Sequence, residues 1–266
     1  MLLRRREPPA RWVLALLLSC GALCIGVGVA AQDAMAIAPG DARVDGLRIR
    51  AFTHRYYMYQ VFDTGTAPER VGQLTERVQL AVVGRDTVII QTRGTVMHAA
   101  DTSVDSLTLN RRTLAPLAQR ETWNSQSPHR GWLRRGTDFH GDTASHFGTI
   151  PEESFDRKFT RKAFFEGTEI LLLLALQPQS VRAGASFTVA TWSYGRTLRP
   201  LLEQSKALVH VRGSARFPVQ AHGRDVWVLR FGESTYWVAK DSFEVVQWEE
   251  YPEEAGFSYR FVRESP

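Results

Sequence analysis

The strongest constraint on this chain is an apolar alternation with a period of two, which recurs from residue 47 to residue 262. Successive side chains of a strand point to opposite faces, so this period selects strands over helices. In residues 51–62, Phe52, Tyr56, Met58 and Phe62 fall on one parity. Thr53, Tyr57, Tyr59 and Val61 fall on the other, which predicts a strand covered on both faces. Residues 78–83 and 87–92 flank Gly84-Arg85-Asp86 and read as a hairpin. The pattern continues at 107–109, is interrupted at 114–117, and resumes in more polar strands at 119–123, 131–134 and 137–147. It returns at 186–194 and at 207–211, with a turn expected at Arg212-Gly213-Ser214. Strands at 226–231, 235–239, 243–251 and from Gly256 onward are separated by 232–234, 240–242 and a final turn. Short strands at near-regular spacing with turn residues between them form an antiparallel meander. The expected fold class is mainly β: an antiparallel, strongly curved sheet or open β-barrel (a β-clam) with one inserted, buried helix.

That helix is predicted within 166–176, where Glu-Gly-Thr-Glu is followed by Ile-Leu-Leu-Leu-Leu-Ala-Leu. Thr168 can cap it, Glu169 suits the positive end of its dipole, and Pro178 stops it. It is apolar all round, which predicts burial as a plug against the sheet. It is too short to cross a bilayer. The expected organisation is a leader (1–31), a flexible lead-in (32–46) and one β-rich domain (47–266). Within that domain, loose halves 47–147 and 186–262 are joined by a loop and the helix, 148–185.

The first thirty-one residues read as an address. Arg4, Arg5, Arg6 and Arg11 precede an apolar run over 12–31 that closes on Val29-Ala30-Ala31, then Gln32-Asp33. A basic start, an apolar centre and a small-x-small end mark a secretory signal peptide, cut between Ala31 and Gln32. Two alternatives stand beside it. One is a retained anchor, since about 20 apolar residues just span a bilayer. The other is a lipoprotein, because Leu17-Leu18-Ser19-Cys20 resembles a lipobox that would acylate Cys20. The expected location is periplasmic or extracellular, with no transmembrane span in the mature chain. Cleavage would remove four Arg and one Glu, lowering the net charge from +5 to +2. The basicity belongs mostly to the leader, which argues against nucleic acid as a partner. Both cysteines would leave with it, so the mature chain has no disulfide, thiolate metal site or thiol nucleophile.

The remaining chemistry is sparse. A Gly-x-Ser-x-Gly elbow, a P-loop, a Gly-x-Gly-x-x-Gly loop and a His-Glu-x-x-His pair are all missing from the sequence, and no cofactor is expected. Asp138, His140, Asp142 and His146 share one parity, so a single strand through them would offer metal-ligand types on one face. The plainer reading is a solvated sheet face. Glu152-Glu153, Glu249-Glu250 and Glu253-Glu254 are sequence neighbours, and on a strand such neighbours point to opposite faces. The basic run Arg157-Lys158 and Arg161-Lys162 fits a solvated loop or anionic lipid headgroups. Aromatics concentrate in the second half, where Trp192, Trp227, Tyr236 and Trp237 are the candidate ligand-binding residues. Ordinary packing competes with that role, since each such ring buries about 150–250 Å². Tyr236 and Trp237 must face opposite ways, so one of the two leaves the main core.

Four short stretches resemble a family of exported bacterial proteins catalogued as a domain of unknown function, the 3108 group. They are Tyr56-Tyr-Met-Tyr59, the segment from Leu107 to Pro116, Val181-Arg-Ala-Gly184 after a Leu-rich helix, and Val211-Arg-Gly213 with Tyr236-Trp-Val-Ala-Lys240 and Val245-Val246. The resemblance implies the architecture of periplasmic lipoprotein carriers, an unclosed β-barrel around an apolar cavity, and it brings no catalytic residues. The resulting expectation is a non-catalytic cell-envelope protein that binds an apolar or amphiphilic ligand, such as a lipid, or an envelope protein partner. The alternative is an envelope hydrolase acting on glycan or ester through scattered Asp, Glu and His.

Overall fold

A computed structural model describes residues 35–97, 101–124, 132–150, 153–160, 165–166, 169–194, 202–217, 224–251 and 256–264. The expected leader with its Ala31–Gln32 junction and Cys20 lies outside them, as do Glu152, Arg161, Lys162, Thr168, Glu253 and Glu254. Ala34–Pro266 forms one compact unit.

The fold is a single curved, unclosed sheet, antiparallel except at one edge. In chain order its strands are β1 (Met35–Ile37), β2 (Phe52–Phe62), β3 (Glu69–Val83), β4 (Asp86–Met97), β5 (Asp101–Asn110), β6 (Pro116–Asn124), β7 (Trp132–His140), β8 (Thr143–Ile150) and β9 (Glu153–Thr160). They continue as β10 (Phe165–Glu166), β11 (Ser186–Tyr194), β12 (Leu202–Phe217), β13 (Arg224–Phe231), β14 (Ser234–Ala239), β15 (Val245–Glu250) and β16 (Phe257–Arg263). Spatially the order is β1-β11-β12-β13-β14-β15-β16-β2-β3-β4-β5-β6-β7-β8-β9, with β10 beside β1 on the free edge of β11. The later strands thus precede the earlier ones, joined through the pairing of β16 with β2. Elsewhere strands that follow one another in the chain pair antiparallel, from β2 through β9 and from β11 through β16.

Several expectations change in detail. Residues 35–37, expected in a flexible lead-in, pair in parallel with Phe187–Val189 as β1. Residues 153–160, expected in a connecting loop, form β9 on β8. Arg212-Gly213-Ser214 is no turn: β12 runs through it with a bulge between Val211 and Gly213, whose φ is 152°. Glycine supplies a bulge as readily as a turn. The stretch 137–147 is two strands, because Gly141 at φ 55° reverses the chain after His140.

The plug is α1 (Glu169–Ala175), with Ile170, Leu171, Leu172, Leu173 and Ala175 buried. Its burial matches its all-round apolarity. A 3-10 turn at Gly46–Arg48 docks beside it. Asp45 N–H donates to the Ala175 carbonyl, Gln177 N–H to that of Arg43, and the Arg48 guanidinium to that of Leu176. The bonds to Ala175 and Leu176 satisfy carbonyls that a helix end leaves without partners. Gly46 is required there: a Cβ would stand 1.9 Å from the Arg111 carbonyl oxygen and 2.9 Å from Leu114 Cδ2. The main core gathers α1, Ile49, Leu114, Ile89 and Leu109 with the concave faces of β2, β3 and β11–β16. Among the described residues no helix is long and apolar enough to cross a membrane.

Candidate functional site

The concave wall has two unlike parts. Over β2 and β13–β16 it is aromatic. Tyr56 meets Trp248 edge-on at 4.7 Å, Trp248 stacks on Phe261 at 4.3 Å, and Tyr236 bridges Trp248 to Phe231. All five are buried. His54 continues the chain of rings, stacked on Phe52 at 4.2 Å. Burial, with Arg263 nearby, depresses its pKa to about 4, so it is neutral at neutral pH.

Over β3–β8 the same wall is polar. Strand register places Glu76 opposite Arg93, Arg93 opposite Asp105, Asp105 opposite Glu121, and Glu121 opposite Arg135. One charged residue from each of five consecutive strands therefore forms a row across the sheet. A second row beside it holds Gln91, Gln119, Thr137 and His146, all buried. Directly opposite residues of an antiparallel pair have Cβ atoms about 4.5–5.5 Å apart, so neighbours in a row interact. Gln91 Nε2 donates to Glu76 Oε1 at 2.5 Å, Arg93 Nε to the same oxygen at 3.3 Å, and Arg135 Nε to Glu121 Oε2 at 2.5 Å. Thr137 Oγ1 lies 2.9 Å from His146 Nδ1. Two carboxylate oxygens, Glu76 Oε2 and Asp105 Oδ1, are buried without a hydrogen-bond partner.

The electrostatics follow from this crowding. Burial raises the Asp105 carboxyl to about 6, Arg93 opposes the shift, and Glu121 adds to it. Burial works against the Arg93 charge, but Glu76, Glu169 and Asp105 outweigh it and hold the guanidinium protonated. Glu250 is pushed up by burial, with Glu169 adding to the shift and its bond from Trp248 Nε1 (2.8 Å) opposing it. Yet Glu250 is exposed. Arg93, Asp105, Glu121, Arg135 and Glu169 likewise keep partial access to solvent, while Glu76 behind them has none. These groups share the inner face of the sheet, and Glu169 at the start of α1 is close enough to act on both Arg93 and Glu250. The set is acid-rich, with Asp105, Glu121, Glu169 and Glu250 against Arg93 and Arg135.

The sequence candidates fall elsewhere. Asp138 and His140 belong to β7, Asp142 to the turn and His146 to β8. His146 sits opposite Thr137, so it shares Thr137's face and not that of Asp138. The single-strand parity expectation fails because the Gly141 turn resets it. Asp138 instead binds Arg120 at 2.6 Å, and Arg120 lies over the Phe147 ring. Among the described residues no group of three or more His, Cys, Asp or Glu could hold a metal. Tyr236 is core, whereas Trp237 packs with Val226, Ala239 and Val246 on the opposite face. Trp227 packs against the main core with Lys240 Nζ 4.4 Å from its ring centroid. Trp192 lies in β11 opposite Gln204, and its side chain is outside the described ones. Glu249 and Glu250 do point apart: Glu249 binds Arg260 at 2.5 Å and accepts from Tyr251 at 2.6 Å.

The charged row escaped sequence reasoning because its members are 12 to 17 residues apart in sequence and meet only through strand pairing. The available signal was a charge on the apolar parity, such as Glu76 between Leu74 and Val78.

No protein-family model and no curated protein matches the chain. Among solved structures it is similar to the crystal structure of a beta-barrel-like protein of domain of unknown function DUF1849 from Brucella abortus. The two share 9% identity and a TM-score of 0.48 over 82% of this chain and 98% of that one.

Proposed function

We propose that this chain is an exported cell-envelope protein that binds an amphiphilic ligand on the inner face of the sheet beside α1 without transforming it. The observation that carries the reading is the charged row, which still reaches solvent beside the packed aromatic wall. A few placed polar groups against apolar walls is the usual composition of a ligand site. Export rests on the leader and its Ala31–Gln32 junction. The short stretches that resemble the 3108 group are in keeping with the same placement. Native mass spectrometry of protein released gently from the envelope is expected to show the chain carrying a co-purified amphiphile. Recovery of the bare chain alone, together with failure to take up a fluorescent fatty acid, would count against the reading.

One observation favours a second reading. Asp105 and Glu121 face each other across β5 and β6, and Asp105 titrates near 6, within the range of a general acid. A hydrolase acting on glycan or ester would then lose its activity in Asp105→Asn. Hydrolysis unchanged by that substitution, or none detected in the native chain, excludes this use of the pair.

A further inference from the structure

The sheet is unclosed, and β9 ends its spatial order. Among the described elements β8 is the one packed extensively on β9. An end strand presents a row of backbone donors and acceptors to whatever can pair with it. Its sequence is Glu153-Ser-Phe-Asp-Arg-Lys-Phe-Thr160, and Ser154, Asp156 and Lys158 are exposed.

That sequence is complementary to itself. Two copies related by a two-fold axis normal to the sheet pair antiparallel, and residues opposite each other must share a face. The axis must then pass beside one residue of β9. With the axis at Arg157, Asp156 of each copy falls opposite Lys158 of the other, twice over, and Phe155 falls opposite Phe159, again twice. Ser154 falls opposite Thr160. The one like-charged encounter is Arg157 with its own copy on the axis. Shifting the axis to Asp156 or to Lys158 brings like charges together there and loses both Asp–Lys pairs. Moving the axis to Phe155 sets Glu153 opposite Arg157 twice, but it pairs only five residues of β9 instead of seven. Opposite charges across a strand pair stabilise it and like charges weaken it, so the Arg157 register is the one that combines two attractions with the longest pairing.

From this we infer that β9 is a homodimer edge, the partner being a second copy of this chain paired antiparallel about Arg157. The inference does not depend on the concave site. Charged residues on an edge strand can also serve to repel partners. The two uses differ in what charge exchange does.

Sedimentation of the purified chain across a concentration series tests it. The native chain is expected to dimerise, and the dimer to weaken with salt. Asp156→Lys and Lys158→Asp each convert both cross-strand pairs to repulsions, and each should weaken the dimer about tenfold or more. The double exchange, Asp156→Lys with Lys158→Asp, restores both attractions and should restore dimerisation. Circular dichroism confirms that each variant folds, and amide exchange of β9 should slow with concentration in the native chain and the double exchange only. A monomer at every concentration overturns the inference. A dimer indifferent to both single exchanges, or one that the double exchange fails to recover, overturns it equally.

Discussion

The aromatic and the charged stretches of the concave wall belong to one sheet with one strand geometry, yet they are held by different forces. Around Trp248 the wall is a stack of rings whose stabilisation comes from burial and contact. Around Arg93 it is a ladder of ions whose cohesion depends on every member having a partner. The contrast separates the part of the wall that holds the fold together from the part that retains unmet bonding capacity. Packed rings leave little for a ligand to add. A ladder with two buried oxygens short of a partner does not.

The largest expected effect tests the first half of that contrast. Trp248→Ala removes a ring in contact with Tyr56 and Phe261 and should cost about 3–5 kcal/mol, read by chemical denaturation. A loss under about 1 kcal/mol would show that the rings are not the structural half, since core truncations of this kind cost several times more. Next, Arg93→Met strands the carboxylate of Glu76, which is fully buried, and should cost about 3 kcal/mol. Adding Glu76→Gln removes the stranded charge and should recover most of that loss. Additive losses in the double variant would show that the two residues are independent, contrary to the ladder.

A smaller effect appears with pH. The folded-state pKa of Asp105 is raised, from 3.8 to about 6, so the folded state binds the proton more tightly than the unfolded state. Its contribution is therefore full below the unfolded value and fades as pH rises through the folded value. Stability should fall by on the order of 2 kcal/mol across that window. This slope should vanish in Asp105→Asn, as measured by denaturation at a series of pH values. A slope that survives the substitution assigns the titration to another group. The smallest effect belongs to the convex face. Arg120→Ala breaks an ion pair with Asp138 that is open to solvent and should cost under about 1 kcal/mol. A cost comparable to that of Arg93→Met would erase the distinction between the inner row and an ordinary surface pair.

What could be read from the residues, and what could not, divides by range. The period of two, the hairpin at Gly84 and the final meander are local signals, and each produced the element expected. The plug was legible because leucines without a polar face can only be interior. Glycine was the ambiguous letter. At Gly213 it makes a bulge in a continuing strand, while at Gly141 it makes a turn in a stretch that looked continuous. The second error moved His146 to the other face from Asp138 and dissolved the proposed ligand set. Five charges on five strands form a row only after the registers are known, and sequence spacing does not reveal those registers.

The stitching of the plug has a mechanical corollary. Arg43, Asp45 and Arg48 clasp the last carbonyls and the exit of α1 from a distant part of the chain. The helix cannot swing aside as a hinged lid on its own two connections. It can leave only if the strap carrying Gly46 peels away with it, from a seat on the Arg111 carbonyl too tight for even a methyl group. Cargo traffic through that end of the sheet would require two segments to detach together. On the proposed binding reading, a guest would therefore enter from the side where Glu250 already meets water.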